Sequence, residues 1–154
     1  MENPEAAFVI HPIGAVRRAE QGLFIDVFAP YRPGLYQLGD FSHVIVLWWA
    51  AQNDTPEARN HLTAHPPYEP HQPTGVFACR SPRRPNPLLL TTCRLLGVDE
   101  AGGQVQVQNI DALDGTPVID LKAYFPVSDR VKDARLPDWL VGWPEWFPEE
   151  GLGL

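Results

Sequence analysis

The 154-residue sequence lacks most of the motifs that assign a chain to a common functional class. Its two cysteines, Cys79 and Cys93, have no CxxC spacing, so we expect two reduced thiols rather than a disulfide framework. The motifs GxGxxG, GxxxxGK(S/T) and GxSxG are all absent. A doubly wound nucleotide-binding fold is therefore disfavoured.

The sequence also lacks a long apolar run and a basic leader. The longest apolar run, residues 44–51, is far below the roughly 20 residues that a membrane helix requires. The first ten residues contain two glutamates and no basic residue, unlike a signal or transit peptide. We expect a soluble, cytoplasmic protein that has no contact with a membrane.

What the chain has in quantity is proline and glycine, 17 and 12 residues, which favours many short elements over a helical bundle. Apolar and β-branched segments between these breakers predict about seven strands. They are residues 8–10, 13–16, 23–28, 41–49, 88–98, 104–110 and 118–125. Residues 41–49 are apolar on both faces after His43, which predicts a central strand, whereas residues 88–98 also fit a short buried helix.

Helices are predicted to be few and short. Thr55 suits the N-cap of a helix, with Pro56 at its first position and Glu57 in its first turn. Pro66 and Pro67 must end that helix. The composition therefore predicts residues 1–154 as one mainly-β domain, a β-barrel with one or two short helices. The Trp- and Pro-rich tail at 133–154 is expected to cover a core edge or a partner subunit.

A basic island interrupts this acidic chain, whose formal net charge is -7. Residues 75–94 contain Arg80, Arg83, Arg84 and Arg94 but no Asp or Glu. Three prolines in RSPRRPNP, residues 80–87, predict a stiff, extended loop that projects its arginines. Such a loop would bind carboxylate or phosphate groups. The alternative is a proline-rich surface connection with solvated arginines.

Histidines give weaker signals. His61, His65 and His71 could ligate a metal, but the prolines after His65 break the helix that such a pair needs, and no metal site is predicted. His43 stands at the head of the most apolar strand, where it is either structural or functional.

Aspartates cluster between the last two strands. Asp114 precedes Gly115 in an ordinary turn sequence, and Asp120 shares a strand face with Lys122 and can pair with it. The connection of residues 111–117 is longer than a tight hairpin needs, which suggests that something sits against it.

Together, several segments resemble the TsaA-like (UPF0066) family. They are PIG at 12–14, GL at 34–35, FSH at 41–43, GVFA at 75–78, RSPxRPNP at 80–87 and DGTPVxDxK at 114–122. The match covers about residues 8–129. Characterised bacterial members use S-adenosylmethionine to methylate the exocyclic amine of a threonylcarbamoyl-modified adenosine beside the tRNA anticodon.

The resemblance implies a dimeric single-domain β-barrel that binds S-adenosylmethionine without a glycine motif. Carried over by position, the family's cofactor contacts fall on Ala51, Gln52, Arg80, Leu90, Asp111, Ala112, Leu113 and Asp114. We expect Arg80 to bind the methionine carboxylate and the loop at 111–114 to contact adenine and ribose.

The acceptor side is predicted on the basic loop. Arg83, Arg84 and Asn86 are candidates for contacts to the phosphates of an RNA acceptor, and His43 is the candidate for a polar contact or proton acceptor. Three alternatives stay open: a small-molecule methyl acceptor, a non-catalytic RNA- or nucleotide-binding module, and a metal-dependent hydrolase. Two segments depart from the family pattern, namely Leu88-Leu89-Leu90 in place of small residues and the short stretch at 17–22.

Overall fold

Short strands with alternating apolar residues close into a six-stranded antiparallel barrel. The computed structural model describes residues 7–68 and 71–148. The strands are β1 (Gly14–Ala19), β2 (Gly22–Val27), β3 (His43–Trp49), β4 (Thr63–Ala64), β5 (Thr74–Gly75), β6 (Leu88–Asp99), β7 (Gln104–Val107) and β8 (Pro117–Ala123). The barrel order is β1-β2-β7-β6-β3-β8, and β4 pairs only with β5. The prediction of a mainly-β barrel is confirmed.

Every second residue along the strands points inward and fills the barrel interior. Val44 and Val46 of β3 are fully buried, and so are Val105 of β7 and Val118 of β8. The buried hydroxyl of Thr91 on β6 accepts a hydrogen bond from Trp48 Nε1 at 3.1 Å, so the core contains a satisfied polar pair. This interior fixes the strand register and therefore the places where the connecting loops emerge.

Helices are as short as predicted. The α-helices are α1 (Pro56–Arg59) and α2 (Pro126–Asp129). A seven-residue 3-10 helix occupies Ala29–Leu35, and single 3-10 turns occupy Leu38–Asp40, Ala51–Asn53, Val76–Ala78 and Asp138–Leu140. Thr55 is the N-cap of α1, because its Oγ1 accepts a hydrogen bond from the Ala58 amide at 3.1 Å. None of the helices described by the structure is long and apolar enough to cross a membrane.

Three details of the strand prediction are wrong. Residues 8–10 form no strand, and the side chains of Phe8 and Val9 are largely exposed. The polar turn expected at 17–22 is mostly strand, since β1 continues to Ala19 and pairs with β2 throughout. β3 is central, between β6 and β8, but only alternate residues are buried.

The Trp- and Pro-rich tail packs beside a loop. The ring of Trp143 contacts that of Tyr68 edge to face, with centroids 4.8 Å apart. Trp146 and Phe147 remain exposed, and residues 149–154 lie outside the described residues. Within the described residues the tail adds nothing to the cluster of buried side chains in the barrel.

Candidate functional site

Three loops emerge side by side from one end of the barrel, which we call the loop end. The last residue of β3, Trp49, pairs with Leu88, the first residue of β6, and Trp48 pairs with Val118 at the start of β8. The turn after β3, the loop before β6 and the loop before β8 are therefore neighbours. They contain Ala51 and Gln52, residues 80–87, and residues 111–114.

The basic loop is anchored on both sides. Its last residue, Pro87, is buried, and its carbonyl accepts a hydrogen bond from the Ala50 amide at 2.8 Å. Arg84 turns inward, where its Nη2 donates to the carbonyl of Val76 and to that of Cys79, the latter at 3.3 Å. The prediction that the loop projects all its arginines is therefore wrong for Arg84, because backbone carbonyls within reach bind its guanidinium.

Arg83 faces helix α1. Its Nη2 lies 3.3 Å from Glu57 Oε1 and 2.6 Å from His61 Nε2. Both side chains of the ion pair are substantially exposed, at 48% for Arg83 and 84% for Glu57. An exposed pair of this kind is weak and is readily exchanged for another anion. Asn86 is also exposed, while its carbonyl accepts from the Leu88 amide at 2.7 Å.

Arg80 is a second exposed cation of the basic loop. Within residues 7–68 and 71–148, its guanidinium makes no hydrogen bond or ion pair. Burial and the neighbouring Cys79 raise the pKa of Tyr68, and the positive charge of Arg80 opposes this shift. Arg80 therefore lies near the Tyr68 ring, with its charge available to an anionic ligand.

The loop at 111–114 is held by an arginine from β1. Arg18 donates to the carbonyl of Ile110 at 2.5 Å and to that of Ala112 at 2.8 and 2.9 Å, and its amide donates to Asp114 Oδ1 at 2.7 Å. Gly115 completes the turn with a φ of 74°, a value that favours glycine. The side chains of Asp111 and Leu113 stay exposed. The sequence reasoning missed Arg18, which lies some ninety residues from the loop that it holds.

A second missed group follows β3. Asp54 accepts hydrogen bonds from Arg59 Nε at 2.6 Å and from Trp49 Nε1 at 3.0 Å. The guanidinium carbon of Arg59 also lies 5.5 Å from the centre of the Trp49 ring, and Nη1 donates to the Pro85 carbonyl at 3.2 Å. The bonds from Arg59 and then Trp49 lower the pKa of Asp54 below its ordinary value. We call Trp49, Asp54 and Arg59 the Asp54 cluster.

Two predicted residues lie away from the three loops. Leu90 points outward from β6, opposite Leu47 of β3, and is 42% exposed. His43 begins β3, six residues and therefore about 20 Å from Trp49 at the other end. Its Nδ1 lies 2.8 Å from Ser42 Oγ, and its ring lies 6.0 Å from that of Tyr124. Within one chain the structure does not bring His43 to the loop end.

Two other concavities are lined by residues outside the three loops. A cavity of about 740 Å³ is lined by Arg32, Tyr36 and Ala101 among others, and one of about 430 Å³ lies between Leu38 and Asp120. Across the described ranges, 7–68 and 71–148, no three His, Cys, Asp or Glu side chains converge as they would around a metal ion. The loop end therefore carries the candidate site, with the exposed charges of Arg80, Arg83 and Asp111.

Comparison with curated proteins identifies similar archaeal chains. A probable S-adenosyl-L-methionine-binding protein of Pyrococcus horikoshii is 39% identical over 119 residues, which cover 77% of this chain and 83% of the relative. An S-adenosyl-L-methionine-binding protein of Archaeoglobus fulgidus is 36% identical over 137 residues, covering 80% of this chain and 94% of the relative. A mouse tRNA (adenine(37)-N6)-methyltransferase is 38% identical over 103 residues, covering 64% of this chain but 22% of the mouse protein.

Solved structures and a family model agree with these relatives. The crystal structure of TrmO from Pseudomonas aeruginosa superposes with a TM-score of 0.65 at 28% identity, covering 84% of this chain. This chain spans 62% of that TrmO chain. Residues 10–130 match the family model described as the tRNA-methyltransferase O N-terminal domain, and the chain therefore belongs to that family.

Proposed function

We propose that this protein is an S-adenosylmethionine-dependent methyltransferase whose acceptor is the N6 amine of a modified adenosine beside the anticodon of tRNA. The observation that carries the proposal is the convergence of three segments at the loop end of a barrel of this family. The names of the archaeal relatives support the cofactor, and the name of the mouse relative supports the acceptor.

The residues at the loop end suit S-adenosylmethionine. Arg80 offers an exposed guanidinium to the methionine carboxylate, a pairing that can be bidentate. The loop at 111–114 offers the exposed Asp111 carboxylate to hydroxyl and amine groups of the adenosine part. We assign the remaining contacts to Ala51 and Gln52 in the turn after β3 and to Ala112, Leu113, Asp114 and Leu90.

The task of these residues is placement. S-adenosylmethionine supplies an electrophilic methyl group on a positively charged sulfur, so the acceptor nitrogen needs only correct alignment and the loss of a proton. Arg80 and the loop at 111–114 would fix the two ends of the cofactor. We retain His43 as a candidate polar contact or proton acceptor. Because it lies about 20 Å from the loop end in its own chain, this role requires the partner subunit's His43 to approach that end.

Phosphate binding is assigned to Arg83 and Asn86 at the exposed side of the basic loop. Glu57 holds Arg83 only by an exposed ion pair, which an RNA phosphate can replace. Arg84 was a candidate for the same role, but its bonds to the carbonyls of Val76 and Cys79 favour a structural role in shaping the loop.

A homodimer is part of the proposal. On the outer face of the barrel, Leu88 and Leu90 of β6 pair across with Trp49 and Leu47 of β3, so an apolar strip faces outward. Burying such a strip against a second copy would remove it from water and bring Leu90 into an interface. Sedimentation equilibrium of the purified chain tests this association. We propose a cytoplasmic location, where tRNA is found.

The deciding experiment is isothermal titration of the purified protein with S-adenosylmethionine and S-adenosylhomocysteine. We expect binding in the wild type, loss of it in Arg80→Ala, and retention in the matched variant Arg83→Ala, whose guanidinium faces α1. Transfer of a labelled methyl group to bulk tRNA then tests the acceptor. A folded wild-type protein that binds neither compound at millimolar concentration would refute the cofactor assignment and favour a non-catalytic binding module. Cofactor binding without methylated tRNA would point to a small-molecule acceptor.

A further inference from the structure

We propose that Asp54 and Arg59 are positioning residues that hold two cofactor-binding segments in a fixed relation. One segment is the turn with Ala51 and Gln52, and the other is the basic loop. This inference rests on the proposed function, because it assigns the two segments to the same ligand.

The first step concerns the turn. Residues 49–54 form a small closed unit, because Trp49 Nε1 donates to Asp54 Oδ2 at 3.0 Å across its two ends. Inside it, only the amides of Asn53 and Asp54 bond back, to the carbonyls of Ala50 at 2.8 Å and Ala51 at 3.2 Å. A single 3-10 turn of this length has little stability of its own. The side chain of Asp54 therefore closes a turn that its backbone defines weakly.

The second step concerns the basic loop. Its three prolines have no amide hydrogen, so the loop can make few hydrogen bonds with its own backbone. Groups outside the loop therefore contribute to its shape. Arg84 donates from the loop to the carbonyls of Val76 and Cys79, which precede it, and Arg59 donates to the Pro85 carbonyl near the end of the loop. Together with the bond from the Ala50 amide to the Pro87 carbonyl, the bonds of Arg59 connect the loop to the turn after β3.

The third step joins the two. The guanidinium of Arg59 binds Asp54 through Nε and Pro85 through Nη1, so one planar group fixes both segments at once. Its carbon lies over the Trp49 ring, which restricts the plane of the guanidinium. A lysine at position 59 would keep the charge but has a single ammonium group instead of a planar guanidinium, so it could not make both contacts in this arrangement. Asp54 and Arg59 therefore act through geometry and need not touch the ligand.

The test compares two matched pairs of variants. Asp54→Ala and Arg59→Gln break the Asp54 cluster. Asp26→Ala and Arg17→Gln break an ion pair of the same length, 2.6 Å, between β1 and β2. We expect S-adenosylhomocysteine to bind about tenfold more weakly to the first pair and unchanged to the second, because a loosened loop must be ordered on binding. Arg59→Lys should stay impaired, whereas a role of charge alone predicts its rescue.

Limited proteolysis supplies a readout that needs no ligand. Trypsin can cut after Arg80 and Arg83 in the basic loop, and we expect faster cutting there in Asp54→Ala and Arg59→Gln than in either control. Circular dichroism establishes that each variant is folded. Cutting rates in both variants that equal the wild-type rate overturn the inference. If the wild type binds S-adenosylhomocysteine, equal affinity in Asp54→Ala and Arg59→Gln overturns it as well. If the wild type binds no ligand, the proposed function fails, and the cutting rates still decide whether the two residues hold the loop.

Discussion

Two clusters of arginine, aspartate and an aromatic ring occur in this molecule, one on the barrel wall and one beside the basic loop, with ion pairs of the same length. On β1 and β2, Arg17 bonds to Asp26 at 2.6 Å and lies 4.4 Å from the centre of the Phe24 ring. In the Asp54 cluster the ion pair has the same length, and the ring lies at 5.5 Å. The four charged side chains are between 35% and 39% exposed.

Their surroundings differ. β1 and β2 are already joined by six paired positions, so the two strands do not depend on the ion pair between Arg17 and Asp26. The Asp54 cluster joins a turn and a proline-rich loop that share no strand pairing. The same contact is therefore redundant on the barrel wall and decisive at the loop end. An ion pair is best judged by what else connects the segments that it joins.

The largest expected effect concerns the barrel core alone: the free energy of unfolding should decrease at high pH because of Cys93. Burial, and then the negative charge of Asp111, raise the pKa of Cys93 to about 12 from an ordinary 9.0. Below pH 9 the thiol is neutral in both the folded and the unfolded chain. Above pH 9 only the unfolded chain loses the proton, which favours unfolding. The free energy of unfolding should begin to fall near pH 9, and its slope should approach about 1.4 kcal/mol per pH unit at higher pH.

Urea unfolding of the wild type and Cys93→Ala at pH 8, 9 and 10 measures this slope. Cys93→Ala should be less stable than the wild type at pH 8 because of the cavity that it leaves. Its free energy of unfolding should depend less on pH because it has no thiol at this position. Parallel curves for the two proteins would mean that Cys93 does not titrate as its burial requires.

A smaller effect is expected from the arginines that bind backbone carbonyls. Arg18→Gln removes the donors that hold the loop at 111–114, so S-adenosylhomocysteine should bind about fivefold more weakly. Arg32→Gln is the matched control, because Arg32 also donates to two carbonyls, those of Val27 and Ala101, but away from the loop end. Titration calorimetry on both variants decides, and equal losses of affinity would mean that the distinction between the two regions is wrong.

The smallest effect is local and occurs in acid. The bonds from Arg59 and Trp49 place the pKa of Asp54 below its ordinary 3.8. The carboxylate therefore keeps its contacts above pH 3.8, and they are lost as the pH falls through the lower, folded-state value. We expect the indole N–H resonance of Trp49 to shift with a midpoint below 3.8 in an NMR titration. The same resonance in Asp54→Asn should not show this transition, and a midpoint above 3.8 would contradict the assignment.

Local patterns made much of the barrel predictable. Residues 23–28 and 104–110 alternate or carry β-branched side chains, and they contain β2 and β7. Residues 88–98 fitted two states, because an apolar run has no period, and pairing with β3 makes them a strand. β1 was predicted too short because Arg17 and Arg18 looked like turn residues. Their partners, Asp26 and the loop at 111–114, belong to other segments of the chain.

The site was predictable where a motif fixes the residues and less so where contacts are made across the fold. The basic loop and the loop at 111–114 were both singled out, and the structure places them together, although their ligand contacts stay predictions. The direction of Arg84 could not be read from RSPRRPNP, because its acceptors are carbonyls of residues 76 and 79. Asp54 and Arg59 carried no signal, since only the folded chain brings them to Pro85.

The shortage of amide donors in the proline-rich loop also bears on protein engineering. Arg59 binds the Pro85 carbonyl from outside the loop, and Arg84 binds the carbonyls of Val76 and Cys79 that precede the loop, so the conformation of the eight residues 80–87 depends on neighbouring segments. A graft of RSPRRPNP onto another scaffold would transfer the sequence of the loop without its conformation. The smallest transplantable unit extends back to Trp49 and includes α1 and the turn at Val76–Ala78.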